Sequence, residues 1–347
     1  MSSQPTPPLL ARETLLALLN VVTEFAAAKP WADMFDSHVM GLTDPTTHEI
    51  RIGTVLGNAG EVFGLTLYRH TTGIRWLLRI MNDLQPDREN AIMMDCLKIE
   101  FLSQGEIPAG DLNLLTAVGF NPVGQGKVWP QFQSCQPGYV PWHINQAEAE
   151  ELLADIPRMI KFCALFRRCP DLFEAHERVG IPYLPNPTPD RPLKIEDLDW
   201  QPLIVPPETI NSFEIDPASL IKLRKLRRAK AAYEYGTGVM GCNVLDQGRF
   251  CYVRASLLID HRQGSILSHH LYCAGEPFEQ SAGGWLAKFL IERGELPKAL
   301  FIADPRLLIV LGPFCEALGI DLKLLKELPL LAEAMASLDK FMATDKR

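Results

Sequence analysis

Hydrophobic positions in the first 80 residues follow two different periods. Between Glu13 and Ala28 the leucines, Val22 and Phe25 recur at helical spacing, and Pro30 stops the pattern, which predicts an amphipathic helix. Residues 49–57 and 61–69 instead read as two strands joined by a short loop that contains glycine. This pattern predicts a β-hairpin.

The following hundred residues continue to mix helical and extended patterns. The pattern predicts helices over 72–81 and 111–120, a strand within 93–103, and two extended pieces on either side of residues 136–138. Asn145 is expected to cap a long helix over 146–168, whose first turn is acidic and whose last turn is basic, and Pro157 should kink or split it. Residues 1–180 are therefore predicted to form a mixed α+β domain.

Proline dominates the next segment. Eight prolines lie between residues 182 and 207, a density that predicts no regular secondary structure. Residues 181–215 are therefore interpreted as a Pro-rich linker, and its apolar residues, such as Trp200 and Leu203, indicate that it is docked against a domain.

The last third of the chain, residues 216–347, has the most informative order of elements. Pro217 is expected to open a helix that continues through residue 236. Three strands then follow over 243–246, 249–260 and 264–273. After them helix and strand alternate: helix 277–294, strand 299–304, helix 306–320, strand 320–325 and helix 330–342.

The predicted helix after Pro217 is strongly basic. Six bases fall within nine residues, with no acid before Glu234: Lys222, Arg224, Lys225, Arg227, Arg228 and Lys230. Burying those charges is costly, so they must face solvent, acids of the same protein, or a partner. The partner that such a helix would suit is RNA, DNA or an acidic protein.

Composition limits the class of protein. Hydrophobic residues make up 47% and charged residues 22%, as in soluble globular proteins, and the formal charge of −8 offers no broad attraction to nucleic acid or to an anionic membrane. No apolar window is long enough to span a bilayer, and the N-terminus lacks the basic region of a signal peptide. The eight cysteines are scattered without a C-x-x-C pair, as expected of free thiols in a reducing compartment. We therefore expect a cytoplasmic protein without a membrane partner.

The C-terminal order of elements resembles the ribonuclease-H-like superfamily, and among its members the catalytic core of integrases and transposases. In that fold a three-stranded meander precedes alternating helices and strands. The resemblance implies two divalent cations, Mg²⁺ or Mn²⁺, held by acids on the first strand, after the fourth strand and on the last helix. Carried over to this chain, those acids are Asp246, Asp304 and Glu333.

Each of these acids also has a structural explanation. Asp246 precedes Gln247-Gly248 and suits a turn. Asp304 precedes Pro305 and suits a helix N-cap, while Glu333 suits a solvated helix surface. Only 29 residues separate Asp304 from Glu333, which is shorter than the integrase pattern.

Other candidate motifs point to structure rather than chemistry. Residues 57–60 and 124–127 are rich in glycine but lack the remainder of a phosphate-binding motif. His269 and His270 should face opposite sides of a strand, and no serine lies in a G-x-S-x-G elbow.

Residues 43–74 resemble an uncharacterised bacterial family of two-domain proteins. The leading hypothesis is therefore a non-catalytic interaction or regulatory protein. The alternative hypothesis is a metal-dependent nuclease or phosphoryl-transfer enzyme that uses the three acids, with the basic helix holding nucleic acid.

Overall fold

The structure is a computed structural model, and it describes residues 10–44, 47–82, 88–122, 128–176, 179–205, 209–246 and 248–344. The chain divides into two units. The first contains residues 1–137 and 141–206, and the second contains residues 138–140 and 207–347. Both combine helices with a mixed sheet, as the predicted α+β class requires.

The first unit is a seven-stranded sheet with strand order β5-β4-β3-β2-β1-β6-β7. Its elements are α1 (Arg12–Ala28), β1 (Met40–Thr43), β2 (Ile50–Leu56), β3 (Phe63–Tyr68), α2 (His70–Met81), α3 (Arg88–Ala91), β4 (Cys96–Leu102), α4 (Ala109–Ala117), β5 (Trp129–Cys135), α5 (Gln146–Arg168), α6 (Leu172–His176), β6 (Ile181–Tyr183) and β7 (Asp199–Gln201). The main core lies between this sheet and the helices α1 and α5.

Most predicted elements of the first unit are present. The helix α1 and the β2–β3 hairpin lie where the hydrophobic pattern places them. Asn145 caps α5 through a capping box with Glu148, and α5 continues through Pro157 as one helix instead of being split.

The structure places most of the predicted linker inside the first unit. Strand β6 pairs in parallel with β1 at Gly41↔Tyr183, and β7 pairs with β6. Strand β6 contains Pro182 itself, and β7 lies between Pro192 and Pro202, so a high proline density did not exclude strands of three residues. The buried Leu184, Leu193 and Leu198 join the same core, as the docked apolar residues suggested.

The second unit is built on a five-stranded sheet with strand order β11-β10-β9-β13-β14, beside a short β8–β12 pair. Its elements are α7 (Pro217–Arg224), β8 (Arg227–Arg228), β9 (Ala232–Asp246), β10 (Arg249–Asp260), β11 (Ile266–Cys273), α8 (Phe278–Arg293), β12 (Glu295–Leu296), β13 (Ala299–Ile302), α9 (Pro305–Leu318), β14 (Asp321–Leu324) and α10 (Pro329–Thr344). Strands β9, β10 and β11 are antiparallel, while β13 runs parallel to both β9 and β14.

Two layers of helices cover the sheet of the second unit. Tyr233 and Tyr235 of β9 pack with residues of α8 and α9 on one face. The alternate residues Met240 and Cys242 pack with α10 on the other face. On that face Gly236 and Gly238 let the side chains of Leu331 and Met335 approach the β9 backbone closely.

The prediction of a long basic helix is wrong. The helix α7 ends at Arg224 with Lys225 as its C-cap, and the chain then forms β8 and enters β9 at Ala232. Pairing of β9 with β10 and β13 outweighs the helical preference of the Lys, Arg and Ala residues that precede Tyr233. The first strand of the meander is thus fifteen residues long, and not the four of 243–246.

None of the described helices is both long enough and apolar enough to cross a lipid bilayer.

Candidate functional site

Asp246 lies at the end of β9, opposite Arg249 of β10. Its Oδ2 accepts a hydrogen bond of 3.3 Å from the hydroxyl of Tyr139. Tyr139 belongs to residues 138–140, which pair with β10: Val140 N–H donates to the Phe250 carbonyl and Tyr252 N–H to the Gly138 carbonyl. Asp246 is thus a residue at the end of a hairpin, as its position before Gln247-Gly248 suggested, but it also has neighbours from distant parts of the chain.

Two buried cysteines complete the surroundings of Asp246. The Sγ atoms of Cys251 and Cys273 and a carboxylate oxygen of Asp246 all lie within 4.8 Å of one another. Together with Tyr139 we name these residues the thiol cluster. Burial and the neighbouring Cys273 and Asp246 raise the pKa of Cys251 to about 12, and the same causes raise the pKa of Tyr139 to about 12. In this state the Cys251 thiol and the Tyr139 phenol hold their protons at neutral pH.

Asp304 serves as the N-cap of α9. Its carboxylate accepts from the Arg306 backbone N–H at 2.9 Å, and Pro305 occupies the first helical position. The guanidinium of Arg306 also clamps this carboxylate, through Nη2 at 2.7 Å and Nε at 2.9 Å. Both oxygens are therefore engaged by groups of the same turn, as the helix-cap explanation predicts.

The three acids of the predicted two-metal site are not gathered. Phe301 of β13 pairs with Glu234 of β9, so the end of β13 lies near the start of β9. Asp304 follows Phe301 by three residues in the same direction as β9, so Asp246, twelve residues after Glu234, lies about nine residues beyond Asp304, on the order of 30 Å at about 3.3 Å per residue. Glu333 is exposed on α10. With Asp304 clamped by Arg306 as well, these residues do not fit two Mg²⁺ or Mn²⁺ ions.

Glu234 occupies the position on β9 that borders the end of β13, and no role was predicted for it from the sequence. It is 1% exposed, and its Oε1 lies 2.8 Å from Nδ1 of His261. Its Oε2 accepts from the Leu331 N–H in the first turn of α10 at 3.3 Å, where a carboxylate is favourable. An acid between the buried Tyr233 and Tyr235 was the signal that could have found it. Glu234 holds the start of α10 to the sheet.

The six bases of the predicted basic helix form what we name the basic strip. All six side chains are exposed. Arg227 pairs with Glu295 at 2.6 Å, and Arg228 donates to the Gly319 carbonyl at the end of α9 at 3.0 Å. Within the described part of the chain, the other four form no hydrogen bond or ion pair through their side chains: Lys222, Arg224, Lys225 and Lys230.

A cavity of about 480 Å³ lies beside α7 and α8. Glu214, Asp216 and Glu292 are among its lining residues, with Lys288 as a basic neighbour. The surroundings of α7 are therefore acidic at its start and basic at its end.

Two further cavities are largely apolar. One of about 590 Å³ lies between β9 and α10 and is lined in part by Met240 and Met335. The other, of about 570 Å³, lies in the first unit beside Tyr68, Trp76 and Lys98. Neither contains any of the three predicted acids.

The first unit also contains a buried network of ion pairs. Asp155 of α5 binds Arg51 of β2 at 2.6 Å and Arg158 at 3.1 Å. Arg69 binds Glu148, also of α5, at 3.1 Å. Burial raises the pKa of the nearby Glu151 more than the attraction of Arg69 and Arg51 lowers it. These pairs fix α5 to the sheet, and sequence alone did not indicate them.

The remaining candidates behave as structural residues. Residues 57–60 form the loop of the β2–β3 hairpin, and His269 and His270 lie on β11. Residues 124–127 lie outside the described residues. All eight cysteines are free.

Comparison with protein families gives two matches. Residues 16–181 match the family model of a domain of unknown function, DUF7309. Residues 219–339 match that of a second domain of unknown function, DUF6930. No curated protein matches the chain. The second match falls within the second unit, and the first covers most of the first unit together with residues 138–140 of the second. The chain therefore combines two domains that are similar to families of unknown function, as the resemblance to an uncharacterised two-domain family predicted.

Proposed function

We propose that this protein is a non-catalytic interaction module, and that its second unit binds an acidic segment of a partner protein at the basic strip. The observation that carries the proposal is the exposure of all six bases, four of which form no hydrogen bond or ion pair through their side chains within the described residues. Charges held in that way remain available to a partner.

Two of the six basic side chains are held in place by contacts within the second unit. Arg227 is oriented by Glu295, and Arg228 by the carbonyl of Gly319 at the end of α9. The free bases Lys222, Arg224 and Lys225 lie at the end of the short helix α7, where the helix dipole also favours positive charge. A carboxylate brought to this surface would exchange water for a guanidinium or ammonium partner without competing with an existing ion pair.

The surroundings favour an acidic protein segment over nucleic acid. The chain carries a net charge of −8, and Glu214, Asp216 and Glu292 line the cavity beside α7. A nucleic-acid backbone is uniformly negative over its length and would meet these acids as well as the bases. A short peptide can place its few acids against the strip alone.

Further features support the location, the origin and the fold that we propose for this protein. The free state of all eight cysteines supports a reducing, cytoplasmic location, and the resemblance of the first unit supports a bacterial origin. The strand order β11-β10-β9-β13-β14, with only the first three strands antiparallel to one another, supports a ribonuclease-H-like fold for the second unit. This strand order favours the nuclease alternative, whereas the separation of Asp246 from Asp304 disfavours it.

The test is a charge-reversal experiment on the full chain. A labelled oligo-glutamate peptide and an oligonucleotide of equal charge are titrated by fluorescence anisotropy at low and at physiological salt. We expect the peptide to bind the wild type, and the triple variant Lys222→Glu, Arg224→Glu, Lys225→Glu to lose at least tenfold in affinity, since each reversed contact removes on the order of 1 kcal/mol.

The matched control reverses three exposed lysines of the same unit outside the strip, Lys288→Glu, Lys298→Glu and Lys326→Glu. Both triple variants change the net charge equally, so a loss confined to the first assigns binding to the strip. Equal losses in the two variants would reduce the effect to net charge and refute the strip. Tighter binding of the oligonucleotide than of the peptide would mean that the partner is nucleic acid and not an acidic protein segment. Mn²⁺-dependent cleavage of the oligonucleotide would favour the nuclease alternative over the non-catalytic module.

A further inference from the structure

The thiol cluster is independent of the basic strip and has no part in the proposed function. Its members share one face of the sheet. Residues 138–140, which we name the inserted segment, belong to the second unit although their neighbours in the chain belong to the first. Cys251 pairs with Val244 on β9 and with Tyr139 of the inserted segment, and directly opposed residues of paired strands point to the same side. Asp246 lies two residues after Val244, and Cys273 pairs with Val253, two residues after Cys251. The period of two in a strand therefore brings all of these side chains to the same face.

The donor atoms are spaced as one small cation requires. Tetrahedral zinc, with Zn–S of about 2.3 Å and Zn–O of about 2.0 Å, holds its ligand atoms about 3.5–4 Å apart. The two sulfurs and the carboxylate oxygen lie within 4.8 Å of one another, so small side-chain rotations suffice to close them around an ion. Cys251 and Cys273 are buried, while Asp246 and Tyr139 are partly exposed and leave a way in from solvent.

We propose that Asp246, Cys251 and Cys273 bind one Zn²⁺ ion, with the fourth position open beside the hydroxyl of Tyr139. Two sulfur donors select a borderline or soft cation over Mg²⁺ or Mn²⁺, which prefer oxygen. On binding, each thiol loses its proton to solvent as its sulfur forms a bond to zinc, so two protons leave for each ion bound.

The charge of the loaded site is compatible with its neighbours. Two thiolates and one carboxylate around Zn²⁺ leave a net charge of about −1. The guanidinium of Arg249 lies on the same side, with its carbon 5.4 Å from the centre of the Tyr139 ring, and donates to the Val140 carbonyl. Arg249 therefore supplies a compensating positive charge. Glu276, which accepts from the Cys273 N–H at 3.1 Å, adds a negative charge beside the thiols.

A disulfide between the same cysteines is the competing arrangement, and the strand register opposes it. Cys251 is the diagonal neighbour of Cys273, not its direct partner. Diagonal neighbours in antiparallel strands lie about 7–8 Å apart, at or beyond the separation of about 7 Å that a disulfide can bridge without backbone movement. A metal ion between the sulfurs removes the need for that approach.

The test uses the reduced, chelator-treated full chain titrated with Co²⁺ and then with Zn²⁺. We expect a thiolate-to-cobalt charge-transfer band and the visible bands of tetrahedral Co²⁺, saturating at one equivalent and bleached by Zn²⁺. Absence of the thiolate band in the wild type refutes the site, whatever the variants do. The protein is also analysed by mass spectrometry before reduction. A Cys251–Cys273 disulfide found at that stage, together with no cobalt band after full reduction, refutes the zinc site in favour of the disulfide.

The variants locate the ion. Cys251→Ser and Cys273→Ser should each weaken Co²⁺ binding by more than about 100-fold, since changes outside the direct ligands already cost about 10–100-fold. Asp246→Asn should keep the thiolate band but weaken binding. The matched control is Cys315→Ser, which removes an equally buried thiol of the same unit and should leave the titration unchanged. Loss of the band in the control, or its retention in both cluster variants, overturns the assignment.

Discussion

The contacts of His38 require an uncharged imidazole ring. Its Nδ1 accepts a hydrogen bond of 3.2 Å from the Phe35 N–H, and the ring stacks on Phe173 at a centroid distance of 4.6 Å. Partial burial lowers the pKa of His38 more than Asp36 and Glu174 raise it. Protonation at Nδ1 would remove the acceptor, so hydrogen bonding and burial favour the same neutral form.

This residue predicts a pH dependence of stability. Between the lowered pKa and the ordinary value of 6.5, the unfolded chain binds a proton at His38 that the folded chain does not. Stability contributed there is present above pH 6.5 and is lost as the pH falls through that window. We expect His38→Phe, which keeps the stacking, to reduce the fall in the free energy of unfolding between pH 7 and pH 5, measured by urea denaturation. Equal slopes for the two proteins would contradict this.

Asp304 shows how one residue can satisfy a motif and still be committed to structure. Its N-cap role could be predicted from the Asp-Pro pair, whereas the ion pair with Arg306 depends on a side-chain rotamer that the sequence does not specify. The thiol neighbours of Asp246 could not be predicted from the sequence either. Cys273 requires the β10–β11 register, and Tyr139 comes from 107 residues away in the chain.

A pair of substitutions distinguishes a cap from a metal ligand at Asp304. Asn is also a good N-cap, so Asp304→Asn should change the free energy of unfolding by less than about 1 kcal/mol, while Asp304→Ala should cost about 0.5–2 kcal/mol. Mn²⁺ titration by calorimetry should not differ between wild type and Asp304→Asn. A Mn²⁺ heat that disappears in Asp304→Asn would contradict the cap as the whole role of this residue.

At the scale of elements, stretches with a clear hydrophobic period were predictable. Stretches in which the local preference and the strand pairing favour different structures were not. The strand β10 has its predicted bounds, and α8, α9 and α10 lie within a few residues of theirs, because a whole apolar face or run defines each of them. The first five residues of β9 were predicted to continue the preceding helix, since the Lys, Arg and Ala residues before Tyr233 favour helix locally. Its strand state depends on β10 and β13, which follow it in the chain.

The glycines of β9 predict where that element tolerates no side chain. A Cβ at Gly236 would overlap Leu331 Cδ2, and one at Gly238 would lie 2.8 Å from the terminal methyl of Met335. Gly236→Ala should therefore destabilise the second unit by about 1–3 kcal/mol, and Gly238→Ala by less because Met335 is flexible. Chemical denaturation measures both.

The control for these variants is Gly284→Ala in α8, where the new Cβ would have its nearest neighbour at 3.9 Å in Phe213. Ala is the better helix former, so this change should stabilise by up to about 1 kcal/mol. If Gly236→Ala is as stable as the wild type, α10 is not packed on β9 through this glycine.

At the scale of the whole molecule, composition indicated two domains but not the path of the chain between them. Residues 138–140 belong to the second unit although the residues on both sides belong to the first. Proline density set the predicted boundary near residue 180, whereas the division falls at Pro206 because β6 and β7 extend the first sheet. Strand partners, and not local composition, decide which unit a segment joins.

The inserted segment yields a prediction about which unit responds to a change at Gly138. This residue has a φ of 80°, and a Cβ there would overlap the backbone of Ala274 and Gly275. Gly294, in the same unit, has a φ of 75° and open space around it. Gly138→Ala should therefore cost about 1–3 kcal/mol more than Gly294→Ala, which carries the backbone strain alone.

Hydrogen exchange measured by mass spectrometry can assign that loss to a unit. We expect Gly138→Ala to speed exchange in peptides from β10 and β11, because residues 138–140 hydrogen-bond to β10. Peptides from β2 and β3 should exchange at the wild-type rate, although Gly138 follows β5 of their own sheet by only three residues. Faster exchange confined to β2 and β3 would mean that the segment belongs to the first unit, and Tyr139 would then have no place in the thiol cluster.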